Sequence, residues 1–126
     1  MDIPADRKYS DTHQWALTDA DGTISVGITH HAQDLLGDLI YVEAPAPGRK
    51  LTKGEQCGVV ESVKSASDIY APVSGNVSTI NPELDKAPER INQNAYEAWI
   101  FKIEPADIAE IATLLDAEAY RALIEA

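Results

Sequence analysis

Residues 59–75 read Val59-Val60-Glu61-Ser62-Val63-Lys64-Ser65-Ala66-Ser67-Asp68-Ile69-Tyr70-Ala71-Pro72-Val73-Ser74-Gly75. Short apolar segments bounded by small, turn-forming residues are strand signals. Residues 59–63 and 67–73 are therefore expected to be strands, with Lys64 between them near the tip of a hairpin. The end of the stretch, Ala71-Pro72-Val73-Ser74-Gly75, repeats the earlier Ala44-Pro45-Ala46-Pro47-Gly48, and the same offset pairs Gly54 with Asn81. Gly and Asn both tolerate left-handed backbone, so similar turns are specified at corresponding places. Two related antiparallel half-sheets follow.

Outward from this stretch the pattern continues. Leu39-Ile40-Tyr41-Val42 and Thr23-Ile24-Ser25-Val26-Gly27-Ile28 read as strands. Asp21-Gly22 lies between the latter and Trp15-Ala16-Leu17 and signals a hairpin, because Gly accepts the positive φ such turns require. Residues 29–36 read as a short helix with Thr29 as its cap and Gly37 at its end. Beyond Pro105, the residues Ile108, Ile111, Leu114, Leu115, Tyr120, Leu123 and Ile124 recur at helical spacing. One or two amphipathic helices capped by Asp107 should close the chain, their apolar stripe packed on the core. The expected fold is mainly β, a flattened barrel or sandwich of two antiparallel half-sheets with short helices and a helical C-terminus. A single domain is expected over residues 1–126, with a core over about 9–103 and C-terminal helices over about 107–125.

Composition narrows the function. The chain has 126 residues, one domain's worth, and its 44% hydrophobic and 25% charged residues are ordinary globular usage. A formal charge of −11 argues against nucleic acid, which needs clustered Lys and Arg to displace counterions. The acidity serves solubility or steers the chain toward basic docking faces. No run is apolar enough to span a bilayer, and Met1-Asp2-Ile3-Pro4 has neither the basic start nor the apolar stretch of a signal peptide. A cytoplasmic bacterial protein is expected, with no membrane partner; a mature organellar form would read similarly. A single cysteine, Cys57, excludes an internal disulfide. Any redox chemistry must be borrowed from a bound group.

A lysine at a hairpin tip is accessible to a modifying enzyme, rigidly based, and free to swing an attached arm. Acylation would remove its charge, so the arm could then lie on apolar surface without desolvating an ammonium. By spacing alone, though, a lysine in a turn is ordinarily a solvated charge. The other candidates also have plain structural readings. Adjacent helical histidines such as His30 and His31 point about 100° apart and do not readily share a metal. His13 fits a packed structural histidine and Cys57 a small core residue. Ser62, Ser65 and Ser67 have no histidine and carboxylate arranged with them as a nucleophile, and Asp68 could be an ordinary turn acid.

The stretch from Glu61 to Gly75 closely resembles the lipoyl-attachment segment of glycine cleavage system H-proteins. Residues 9–15, ending in His13-Gln14-Trp15, look like that family's N-terminal segment, which ends in His-Glu-Trp. Residues 27–38 (Gly27-Ile28-Thr29-His30-His31 onward) resemble its second signature, and the segment from Ile91-Asn92 to Trp99-Ile100 its last. The matches run in family order over roughly residues 9–103.

The resemblance implies a lipoyl-domain-like hybrid fold and a non-catalytic carrier, with lipoic acid joined as N6-lipoyl to Lys64. Glu61, Ser62, Val63 and Ser67 would flank the attachment site, while His31, Gln14 and Asp68 would lie beside the arm. Asp68 would help hold the ammonium of an aminomethyl group. Implied partners are a pyridoxal-phosphate glycine decarboxylase (P-protein), an aminomethyltransferase (T-protein), dihydrolipoamide dehydrogenase (L-protein), and a lipoate ligase or lipoyl/octanoyl transferase. The carrier would shuttle the aminomethyl group between the first two and electrons to the third. Three departures stand out: Gln14 where the family has Glu, Ala95 where it has Pro, and Glu97-Ala98 where it carries a glycine. A lipoyl donor or relay protein for other lipoate-dependent enzymes would use the same motif, and an unmodified structural β-domain is the third reading. Biotin carriage is disfavoured, because Val63 and Ser65 stand where the biotin consensus has methionines.

Overall fold

The structure is a computed structural model that describes residues 3–126; Met1 and Asp2, which belong to the start considered for a signal segment, lie outside the described residues. Two antiparallel sheets face each other across the core. The larger holds, in order, β1 (Lys8–Tyr9), β2 (Gln14–Thr18), β3 (Ile24–Ile28), β9 (Phe101–Pro105), β8 (Gly75–Ile80) and β5 (Lys50–Leu51). The smaller holds β4 (Leu39–Glu43), β6 (Gln56–Ser62) and β7 (Ala66–Tyr70). Four helices, α1 (His30–Leu36), α2 (Glu83–Lys86), α3 (Arg90–Gln93) and α4 (Ala117–Glu125), complete the chain with a 3-10 turn over Ile108–Thr113. Among the described residues no helix is long and apolar enough to cross a membrane.

Most local expectations are met. Gly22 has φ +90° in the β2–β3 hairpin, where Asp21 also accepts from the backbone and hydroxyl of Thr23. Thr29 caps α1 by accepting from the Ala32 N–H at 3.2 Å, and Gly37 ends the helix at φ +84°. The main core joins the two sheets through Ile24, Val26, Val60, Ile69, Val73, Phe101 and Ile103, all at most 1% exposed. A second cluster of Ile3, Tyr9, Trp15 and Tyr120 ties α4 to the start of the chain.

The two antiparallel sheets are found as expected, with the larger one extended by the β1–β2–β3 meander through the β3–β9 pairing. Two expectations need correction. Asn81 does not share the positive φ of Gly54, which stands at +87°; among the described non-glycine residues only His13 has a positive φ, +72°. Asn81 uses its side chain instead, donating to the Trp99 carbonyl at 2.8 Å and accepting from the Glu83 N–H at 3.2 Å. The C-terminal stripe is only partly core. The first turn has the i→i+3 bonds of a 3-10 segment (Glu110 N–H to Asp107, 3.0 Å; Leu114 N–H to Ile111, 3.2 Å), which leave Ile108 outside the packed face. Leu123 of α4 is likewise exposed, while Tyr120 is fully buried.

Candidate functional site

Lys64 stands at the apex of the β6–β7 hairpin. The register pairs Glu61 with Ala66 and Val60 with Ser67, leaving a tip of four residues. Within it the Ser62 N–H donates to the Ser65 carbonyl at 2.7 Å. The Ser62 hydroxyl accepts from the N–H groups of Lys64 (3.3 Å) and Ser65 (3.0 Å) and lies 3.1 Å from the Ser65 carbonyl as donor. Ser62 is thus the buried peg that shapes the turn, while Val63 and Lys64 project into solvent.

A second platform supports the tip from below. The Val63 N–H donates to the Asp38 carbonyl at 3.2 Å, and a Cβ built on Gly37 would lie 3.5 Å from Lys64 Cε. The lysine stem therefore runs near the glycine that ends α1. Asn92 of α3 holds that glycine. Its amide donates to the Gly37 carbonyl (2.9 Å) and to Gln33 Oε1 (2.8 Å), and its carbonyl accepts from the Leu39 N–H (2.9 Å).

Beside the tip lies a cleft of about 260 Å³ that borders it through Ser65. Its apolar wall is Ile28 of β3, Ala32, Leu35 and Leu36 of α1, and Val60 of β6. Its polar rim is Thr12, His13 and Gln14 on one side and Ser65 to Asp68 on the other. An apolar trough with a polar end fits an amphiphilic arm rooted at the adjoining lysine. A larger depression of about 390 Å³ shares Thr12 with it but turns toward Lys53, Pro72 and Leu114, away from the tip. The cleft next to the lysine is the better match to the chemistry.

Gln14 and Asp68 both line this cleft, from opposite sides. Gln14 is 2% exposed, and its side chain is already engaged. Its Oε1 accepts from the hydroxyls of Ser10 and Thr12, and its amide donates to the Thr12 carbonyl at 2.9 Å. Both carbonyl lone pairs are therefore occupied before any ligand arrives. Asp68 is exposed, takes only a long 3.5 Å bond from the Tyr70 hydroxyl, and is the one carboxylate in the lining.

His31 is not part of the cleft lining; its ring centre lies 4.9 Å from that of His13, which is, with the two planes tilted by 44°. Glu61 is half-buried on the strand behind the tip and also outside the lining. His30 turns the other way, its Nδ1 3.1 Å from Gln33 Nε2, so the two histidines diverge. His13, read from the sequence as a packed structural histidine, also stands on the rim of the cleft. Its Nδ1 lies 2.8 Å from the Tyr120 hydroxyl, which lies 2.8 Å from Thr29 Oγ1. Burial, then the neighbouring His31, push the His13 pKa down, with Asp11 opposing weakly. Burial raises Tyr120 to about 12, so the bridging hydroxyl stays protonated. Cys57 is buried in β6 and pushed up to about 11 by desolvation, which leaves it an inert thiol at neutral pH.

The pattern of glycine cleavage H-proteins matches residues 7–126. The chain belongs to this family. The glycine cleavage system H protein of Thiobacillus denitrificans is 58% identical over 125 residues, 99% of this chain and 97% of that protein. That of Thermus thermophilus is 55% identical over 126 residues, 99% and 98% of the two chains. The crystal structure of a glycine cleavage system H protein from Mycobacterium marinum superposes with a TM-score of 0.89 at 35% identity, covering 98% of this chain and all of that one. The unequal antiparallel sheets, with a lysine at the apex of the smaller one, are thus this chain's form of the H-protein fold.

Proposed function

We propose that this chain is the lipoyl carrier of a glycine cleavage system, with lipoate joined to Lys64. Glycine cleavage H-proteins carry a covalently attached lipoate on a lysine and are not themselves catalytic. They work with the P-, T- and L-proteins of the system. The observation that carries Lys64 as the attachment point is its place at an exposed hairpin apex that opens onto a mixed apolar and polar cleft. A cytoplasmic location and a lipoate ligase or lipoyl transferase as modifying enzyme are parts of the same proposal.

When bound, the lipoyl group supplies a disulfide–dithiol couple that accepts a one-carbon amine unit and two electrons. The chain supplies position and shelter. Ser62 fixes the turn from which Lys64 projects, and the lysine stem passes close to Gly37 at the end of α1. Once Lys64 Nζ is an amide it no longer carries a charge, so the stem can turn onto Leu35 and Leu36 without burying an ammonium. At the polar rim Asp68 offers a negative charge to a cationic amine. Gln14 offers little to a cation, since Ser10 and Thr12 occupy its carbonyl. The test is glycine–bicarbonate exchange with purified glycine decarboxylase. The lipoylated chain should support exchange and lipoylation-deficient Lys64→Arg should not; exchange by Lys64→Arg would remove this lysine from the mechanism.

A further inference from the structure

Among the described residues six large hydrophobic side chains are strongly exposed, and four of them belong to the segments that adjoin the Lys64 tip and form a collar there: Val63 (71%), Leu35 (62%), Ile40 (57%) and Tyr41 (48%). Backbone contacts tie their segments together. The Val63 N–H is bonded to the Asp38 carbonyl, and β4 pairs Leu39 with Ser62 and Tyr41 with Glu61. The register shifts between Leu39 and Tyr41, so Ile40 is the extra residue of a bulge. The bulge breaks the usual alternation and leaves two consecutive large side chains, Ile40 and Tyr41, in solvent beside the tip. Exposed apolar clusters of this kind mark interaction surfaces. Around the collar stand Asp34, Asp38 and Glu43, all exposed, and the half-buried Glu61. In residues 32–48 and 54–85 the only Lys or Arg is Lys64 itself.

We propose that this collar docks the enzyme that acylates Lys64, and that the enzyme meets it with an apolar depression bordered by Arg or Lys side chains. The proposal rests on the carrier function above. Reach selects the occupant. An extended lysine spans about 6 Å from Cα to Nζ, so an enzyme that bonds Nζ must touch the residues around its base. Enzymes that meet the finished arm, roughly twice as long, can dock farther away. In the step served, the Lys64 ammonium gives up a proton and the neutral nitrogen attacks the carbonyl carbon of an acyl adenylate or acyl thioester. The amide C–N bond forms, the bond to the phosphate oxygen or thiol sulfur breaks with its electron pair going to that atom, and a second proton leaves the nitrogen for solvent. The acidic rim favours encounter with a basic face, and Ile40 and Tyr41 supply the area that holds it.

The test measures lipoylation of the full-length unmodified chain by a purified lipoate ligase with ATP and lipoate. In Ile40→Ser and in Tyr41→Ser the KM for the chain should rise roughly tenfold with kcat unchanged, the loss typical of a truncated anchor residue. Tyr41→Phe should restore most of the affinity, and Ile108→Ser, an equally exposed apolar truncation remote from Lys64, should stay within about twofold of wild type. For wild type, KM should rise as salt is raised from about 0.05 to 0.3 M. Tyr41→Ser that has been fully lipoylated with excess ligase should be reduced by dihydrolipoamide dehydrogenase at the wild-type rate. Unchanged KM in both serine variants, or an equal rise in Ile108→Ser, would overturn the docking collar while leaving the carrier function standing. A wild-type chain that gains no lipoyl mass would overturn the carrier function, and the collar with it.

Discussion

Asn92→Ala should destabilise the chain and loosen the platform under Lys64. The side chain makes three bonds, to Gln33 Oε1, the Gly37 carbonyl and the Leu39 N–H, at 2.8 to 2.9 Å. Each contributes about 1 kcal/mol net, and the Leu39 N–H, on a residue only 3% exposed, is left without its acceptor. Because Asn92 itself is half-buried, water recovers part of this, and the expected loss is about 2–3 kcal/mol. For a chain of 126 residues that is a fall in Tm of roughly 6–12 °C. Urea unfolding should show a lower midpoint with the same slope. Amide exchange should accelerate at Leu39 and at Val63, whose N–H bonds to Asp38 within the same turn. Asn92→Asp should not rescue, since it keeps the acceptor for Leu39 but sets a carboxylate against the Gly37 carbonyl. A loss below about 0.5 kcal/mol in Asn92→Ala, or full rescue by Asp, would refute the assignment of Asn92 as the brace.

Tyr120→Phe removes only the hydroxyl between His13 and Thr29 and keeps the ring stacked 4.9 Å from Tyr9, so it should cost about 1–3 kcal/mol in urea unfolding. His13 has a folded pKa below its unfolded value near 6.5, so the unfolded chain binds its proton first as pH falls. Stability should therefore be greatest above about pH 6.5 and decline below it, and His13→Asn, which tolerates the positive φ, should flatten the Tm profile between about pH 5 and 7.5. Gln14→Glu should keep the bonds from Ser10 and Thr12 but turn an oxygen toward the Thr12 carbonyl in place of the amide donor. Burial and that contact would raise the new carboxyl's pKa in the folded chain. The variant should be less stable than wild type at pH 7, by about 1–3 kcal/mol, and recover as pH falls toward 4.

Features specified by close neighbours along the chain are legible in the amino-acid sequence. Asp21-Gly22, the Thr29 cap, the Gly37 terminus and the apical position of Lys64 each depend on a few adjacent residues, and each is found as expected. Asn81 shows the limit of that logic, because tolerance of a left-handed conformation does not compel it when a side-chain bond to distant Trp99 is available. No strand over Phe101–Pro105 is among the expectations from the sequence, and nothing local shows that β9 lies inside the larger sheet between β3 and β8. The cleft is the least legible feature. Its lining comes from residues 12–14, 28–36 and 60–68, which only the packing of the two sheets and α1 brings together. The brace by Asn92 and the clamp by Tyr120 likewise span long separations. Gln14 is different, since the hydroxyls that occupy it, Ser10 and Thr12, stand within four residues.

The most direct measurement is the intact mass, with peptide mapping, of wild type and Lys64→Arg after incubation with lipoate ligase, ATP and lipoate. Wild type should gain one lipoyl increment, located on Lys64, and Lys64→Arg should gain none while unfolding at the wild-type temperature. A lipoyl increment on any other lysine, or on Lys64→Arg, would contradict the account.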